Sequence, residues 1–327
     1  QSFVNYIMLE VVLRAKKIPD PTFSVELVIP KYAELISNVN AKYIFEPISN
    51  MYIDSKKLDC FHLKILRKAV LENNRIEDLC DGKFMPVRYK YLNTVFTQDF
   101  EKDMLKNINT FCVKLYEKCL YLAPVNIRYG DMKRYYDLIV QKDDRCHFCG
   151  VSSLTIKYES KRNAFDHYLA KQTYPFVSVN FKNLVPACSN CNNLRKGVKD
   201  VLLWKHKRVK AFYPYTKQQY SIQVKIKFKE GVVYSNNLVP SDFDLLCVCD
   251  GYQEQVDNWM RVYDIEEHFK AKCCGGTVKS KLSEIMDFCK IKNMSVETIL
   301  QHMENNLEYD MNFLKVAFFK AALATII

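Results

Sequence analysis

Cys146-His147-Phe148-Cys149 and, further along, Cys188-Ser189-Asn190-Cys191-Asn192-Asn193-Leu194-Arg195-Lys196-Gly197 bracket the stretch from which the rest of the chain is read. Each CxxC pair places two thiolates on one tight turn, and two such pairs can close a tetrahedral tetrathiolate site for structural zinc on Cys146, Cys149, Cys188 and Cys191. The segment between them is longer than a plain zinc ribbon needs. It carries Phe165-Asp166-His167-Tyr168-Leu169, then Asn183-Leu184-Val185-Pro186.

Asp166-His167 follows an aromatic residue and precedes Tyr168-Leu169, which predicts a position on or at the end of a short strand. Neighbouring strand residues point to opposite faces, so the two side chains share a direction only where the strand bends or ends. A carboxylate suits a hard divalent cation, and a neutral imidazole can take a proton from water near neutral pH. Asn192 directly follows the last cysteine, at the expected start of a helix, where a zinc-pinned backbone would hold its amide oxygen in place.

These residues, in this order, resemble the HNH endonucleases, in the subgroup whose ends are stapled by four cysteines. The resemblance implies a ββα-metal fold with signature positions at His167, Asn183 and Asn192, the last being asparagine where histidine also occurs. It implies that His167 is the general base, that Asp166 and Asn192 hold a catalytic Mg²⁺ or other divalent ion, and that Asn183 braces the loop positioning His167. It covers about fifty to seventy residues, and its specificity lies in order and spacing. Ala170 departs from the pattern, since relatives often show proline there. Asp166-His167-Tyr168-Leu169, Tyr174-Pro175, Asn183-Leu184-Val185-Pro186-Ala187-Cys188 and Cys191-Asn192 also resemble the HNH subunits of bacterial phage-defence systems such as Septu. That likeness implies an ATPase partner of the ABC/SMC-like class.

A chain of 327 residues has room for two or three domains. Its formal charge of +11 favours an anionic partner, and the resemblance implies that this partner is nucleic acid, foremost DNA. Thirteen cysteines without a secretory signal point to a reducing, cytoplasmic setting in which disulfides are not expected. The nine cysteines outside the two pairs lack ligand spacing and read as buried small hydrophobes, Cys247, Cys249, Cys273 and Cys274 included.

The expected fold class is α+β and mostly helical, in three parts. Residues 1–135 form a helical accessory domain, with helices over 2–17, 61–71 and 100–122. His62 is a satisfied core histidine there, and Pro124 to Gly130 a joint. Residues 136–212 form the HNH module, entered by a helix over 131–140, with His147 an exposed knuckle residue rather than a ligand. Residues 213–327 hold a β-hairpin and helices.

In that last part Tyr220 to Phe228 alternates cleanly as a strand, and Gly231 turns it into Val232-Val233-Tyr234. Asp242 to Cys249 is a further strand or short helix. Gln253 to Phe269, Ser283 to Lys290 and Val296 to Met303 are helical, the last capped by Ser295. Phe313 to Ile327 is apolar but holds Lys315 and Lys320 and is too short to span a bilayer, so a core helix is favoured over a partner-docking one.

After the second cysteine pair, Arg195, Lys196, Lys199, Lys205, Lys207 and Arg208 make a basic run around Trp204. Two readings carry equal weight: a phosphate-contacting helical face, or a solvated face with Leu203 and Trp204 packed inward. Function follows as a metal-dependent endonuclease cutting DNA phosphodiesters for anti-phage defence. The alternative is a zinc-stapled nucleic-acid-binding or assembly module without catalysis. One metal centre per chain implies nicking, with double-strand cuts requiring a homo-oligomer.

Overall fold

A computed structural model describes residues 1–235 and 237–326. The N-terminal stretch folds as its spacing predicts: Ser2–Tyr6 runs into a wider turn, Ile7–Val12, and Val4, Ile7, Met8, Val11 and Val12 are all buried. Helices Phe45–Ser55, Cys60–Asn73 and Asp99–Glu117 complete a bundle. The last of these buries Met104, Leu105, Ile108, Phe111, Cys112 and Leu115, a stripe of helical period. Its start is fixed by Glu101, whose carboxylate accepts the backbone N–H groups of Thr97 and Gln98 at 2.8 and 2.9 Å. His62 is satisfied as expected, by Asp59 and the Val95 carbonyl. In place of the expected joint, Ala123–Tyr129 is a short helix with proline in its first turn, ending at Gly130.

Helix Met132–Val140, capped by Asp131, leads into the cysteine-bracketed region. There Phe165–His167 (β1) pairs antiparallel with Leu184–Pro186 (β2), setting Asp166 opposite Val185 and His167 opposite Leu184. A wide helix, Asn190–Lys196, follows and stops at Gly197, whose φ of 48° ends the winding. Two short antiparallel strands and a helix thus stand in the expected order.

Leu203–Trp204 (β3) and Lys207–Arg208 (β4) then form a tight hairpin through Lys205 and His206, both with positive φ. This corrects the idea of one basic helical face. The helix carries only Arg195 and Lys196 of the run, while Lys205, Lys207 and Arg208 lie on the hairpin. Of the inward-packing pair, Leu203 is buried but Trp204 is 48% exposed.

A second correction concerns the next strand. Gln223–Phe228 (β5) pairs with Phe243–Val248 (β6), not with 232–234. The six-residue partner matches Val224, Ile226 and Phe228 with Cys247, Leu245 and Phe243 on one face, which a three-residue stretch cannot do. The region expected as one helix from Gln253 is broken by Asp264, in left-handed conformation, into Gln253–Tyr263 and Ile265–Cys274. Gly276–Lys292 and Val296–Glu304 follow. Asn312–Leu323 is a core helix that buries Leu314, Val316, Phe318 and Phe319 against β5 and pairs its buried Lys315 with Asp310.

Two hydrophobic clusters result. One holds residues from Phe3 to Val125 together with Phe176 and Val179. The other runs from Ile76 to Ala322 and contains both the cysteine-bracketed region and the C-terminal helices. Trp259 donates its indole N–H to the Phe148 carbonyl at 2.6 Å, and Phe148 stacks on Tyr263 with ring centroids 4.5 Å apart. Residues 136–212 and 213–327 are therefore packed into one core. Among the described residues no helix is long and apolar enough to cross a membrane.

Candidate functional site

The four cysteines meet. Cys146, Cys149, Cys188 and Cys191 are buried, and their sulfurs lie within 4.8 Å of one another. Zinc–sulfur bonds of about 2.3 Å in a tetrahedron need sulfurs about 3.8 Å apart, so the donor set fits a metal such as zinc after slight contraction. Gly150, at φ 66°, closes the first turn, with its N–H on the Cys146 carbonyl at 2.8 Å. The backbone N–H groups of Cys188 and Cys191 point to the sulfurs of Cys146 and Cys188, each at 3.4 Å. Hydrogen bonding among the thiols holds Cys149 and Cys188 below the ordinary thiol range and pushes Cys146 and Cys191 above it. Buried His268, on Ile265–Cys274, adds to the lowering at Cys149.

Among the other nine cysteines, Cys80, Cys112, Cys119, Cys247, Cys249, Cys273 and Cys289 are buried, whereas Cys60 is exposed. His147 is half-buried rather than exposed, and burial pushes its imidazole down.

Strand alternation sends Asp166 and His167 to opposite faces, with distinct surroundings. Asp166 is 3% exposed, and its Oδ1 accepts the Lys196 ammonium at 2.8 Å. Its Oδ2 is buried with no hydrogen-bond partner. Burial raises the Asp166 pKa, and the Lys196 charge only partly opposes it. Lys196 is equally buried and also donates to the His167 carbonyl at 2.8 Å. The assignment of Lys196 to a phosphate-facing surface is corrected: its charge is consumed inside the module.

His167 lies edge-on to Tyr116 of helix Asp99–Glu117, with ring centroids 4.3 Å apart. Its Nε2 is 3.0 Å from the Ser178 carbonyl oxygen. A carbonyl can only accept, so Nε2 carries the hydrogen and the lone pair resides on Nδ1. Burial pushes this imidazole down to about 4, so it is neutral at physiological pH. Ser178 is itself anchored from outside, its hydroxyl donating to the Cys112 carbonyl at 2.6 Å.

Asn183 is fully buried. Its amide oxygen accepts the Leu169 N–H at 2.7 Å, and its NH₂ donates to the carbonyls of Leu169 and Val177 at 3.0 and 3.2 Å. It ties the end of β1 to the turn carrying Ser178, which is a bracing geometry. Asn192 is half-buried and sits four residues before Lys196, on the same face of the wide helix. No spacing in the sequence marks Ser178, Tyr116 or His268; Ser178 meets His167 from eleven residues away, while Tyr116 and His268 reach these groups across longer separations.

Of the remaining basic residues, Lys199 pairs with Asp264 at 2.7 Å and Arg195 donates to the Asp264 carbonyl at 3.1 Å. Arg208 is half-buried and bonds the carbonyls of Phe84, Leu202 and Val209. Lys205 and Lys207 alone of the six are exposed. Replacing Lys196 with methionine is expected to cost about 3–5 kcal/mol in urea unfolding, because Asp166 keeps a buried charge without its partner. Lys205→Ala should stay within about 0.5 kcal/mol. Equal small effects would contradict the burial of the Asp166–Lys196 pair.

No family model and no solved structure matches the chain. A 63-residue segment, 19% of this chain, is 36% identical to the Septu protein PtuB of Bacillus thuringiensis and covers 23% of that protein. A 138-residue segment, 42% of this chain, is 30% identical to Protein ea31 of Escherichia phage lambda and covers 40% of it. The chain thus spans less than half the length of either relative, and the likeness is one of segments.

Proposed function

We propose that the chain is a zinc-stapled, divalent-metal-dependent endonuclease of the HNH kind, hydrolysing DNA phosphodiesters in anti-phage defence. What supports this reading is a tautomer-fixed, neutral His167 directly following Asp166 on β1, with the Asp166 Oδ2 buried and unpartnered on the opposite face. A carboxylate oxygen left without a hydrogen-bond partner costs stability unless a ligand meets it, which fits a cation. Asp166, with Asn192 from the adjoining helix, would hold that ion, which when bound supplies Lewis-acid stabilisation of phosphate charge. His167 Nδ1 takes the proton of the attacking water, while Ser178 keeps the ring from turning. Asn183 fixes the turn on which Ser178 sits. Exposed Lys205 and Lys207 are left to meet the phosphate backbone.

The resemblance to Septu-type HNH subunits, joined by the partial likeness to PtuB, supports a defence role. The resemblance implies an ABC/SMC-like ATPase as partner, and one metal centre per chain would require a self-associated form for paired cuts. A second reading is favoured by one observation: the Asp166–Lys196 pair is also what a purely structural ion pair would look like. In that reading the module binds nucleic acid without cutting it.

Supercoiled plasmid incubated with Mg²⁺ or Mn²⁺ separates the two. Nicking that EDTA abolishes and that Asp166→Ala lacks is the expected result. If no divalent ion elicits cleavage of duplex, single-stranded DNA or RNA, with the ATPase partner present or absent, the enzyme reading fails.

A further inference from the structure

A cleft of about 470 Å³ opens between the first cysteine turn, β5 and the helix Gln253–Tyr263. One wall is a ladder of nearly parallel rings: Phe148 lies 6.1 Å from Tyr168 at 12° and 4.5 Å from Tyr263 at 15°. The facing wall carries Phe212 and Tyr220, 4.6 Å apart, with Ile222 and Val224 beside them. No charged side chain lines the cleft among the described residues. Two polar atoms of lining residues have nothing to bond: His147 Nδ1 and the Tyr263 hydroxyl are buried and without a hydrogen-bond partner. Gln218 adds a side-chain amide to the same lining.

We propose that this cleft binds a planar heteroaromatic ring of the nucleobase class, from a free nucleotide or from an unpaired position of a nucleic-acid strand. Phe148, Tyr168 and Tyr263 are buried and stacked on one another, so the ring surface open to a ligand is that of half-buried Phe212, Tyr220 and Trp259, and stacking on such rings tolerates any base. A purely aliphatic occupant would leave His147 Nδ1 unmatched, whereas a base edge offers both donors and acceptors, and an imidazole nitrogen can meet either. The absence of lining charge places recognition on the neutral ring, leaving sugar and phosphate outside. The site is independent of the chemistry assigned to His167 and stands or falls separately.

The chain has two tryptophans, and Trp259 lines the cleft while Trp204 does not. The Trp204→Phe full chain therefore reports on the cleft alone. Titration with adenosine, AMP and a single-stranded dA oligonucleotide should give saturable quenching. Quenching by all three marks a free-nucleotide site, and quenching by the oligonucleotide alone marks a strand-borne base. Ile222→Phe, which fills the cleft at the position just before β5 and away from the cysteines, should weaken binding at least tenfold, as should His147→Ala. A flat signal with all three probes overturns the proposal. So does an unchanged affinity in Ile222→Phe, or equally tight binding of cyclohexanol.

Discussion

Replacing His167 with alanine is expected to lower plasmid cleavage by about 10²- to 10⁴-fold, the range supplied by a positioned general base. Zinc content should not change, because His167 is not among the four clustered cysteines that could hold the metal. The variant loses the hydrogen bond to the Ser178 carbonyl and the edge contact with Tyr116. Leaving that carbonyl unsatisfied costs about 1–3 kcal/mol, so the melting curve should shift modestly and remain cooperative. A purely structural histidine would predict the same shift. The discriminating readout is therefore rescue: free imidazole should restore part of the rate if the missing group is a proton acceptor. Undiminished cleavage by the variant would show that another residue activates the water.

Cys188→Ser should have the largest effect on stability. A structural zinc site contributes about 10–16 kcal/mol of apparent binding free energy, comparable to or above the 5–15 kcal/mol by which whole domains are stable. Loss of one thiolate leaves three ligands and the buried sulfurs of Cys146, Cys149 and Cys191 without their clamp. The damage should not stop at the cysteine turns. Phe148 sits between Tyr168 and Tyr263 in the cluster that also buries Phe269, Leu282 and Phe318. Near-ultraviolet dichroism from those aromatics should collapse, while helical signal from the N-terminal bundle, which has its own cluster, persists. Full zinc content with an unchanged melting curve would contradict the staple.

Much of the frame is legible in the sequence because it is local. The CxxC spacing announces paired thiolates, the alternation from Ile222 to Phe228 announces a strand, and the stripe from Met104 to Leu115 announces a helix. Asn183 as a brace follows from the resemblance, and its three hydrogen bonds give that role a geometry. What stays hidden is long-range. A run of lysines and arginines reads as surface, yet Lys196 is 2% exposed because a single buried carboxylate elsewhere in the chain claims it. The partner of β5 is misjudged because a nearby glycine suggests a short turn, whereas matched length and matched apolar faces decide pairing. The sequence suggests a boundary after residue 212, but Tyr213 is buried in the cluster that spans both sides of it.

Ser178 offers the oxygen that holds His167, and Ser178 is in turn held by Cys112 in the N-terminal bundle. An excised fragment of residues 136–212 would retain all four clustered cysteines together with Asp166, His167, Asn183 and Asn192, yet its imidazole would lean on an unmoored support. Under the proposed chemistry, deletion mapping would consequently score the helix Asp99–Glu117 as indispensable for turnover, although it contributes none of the proposed site residues.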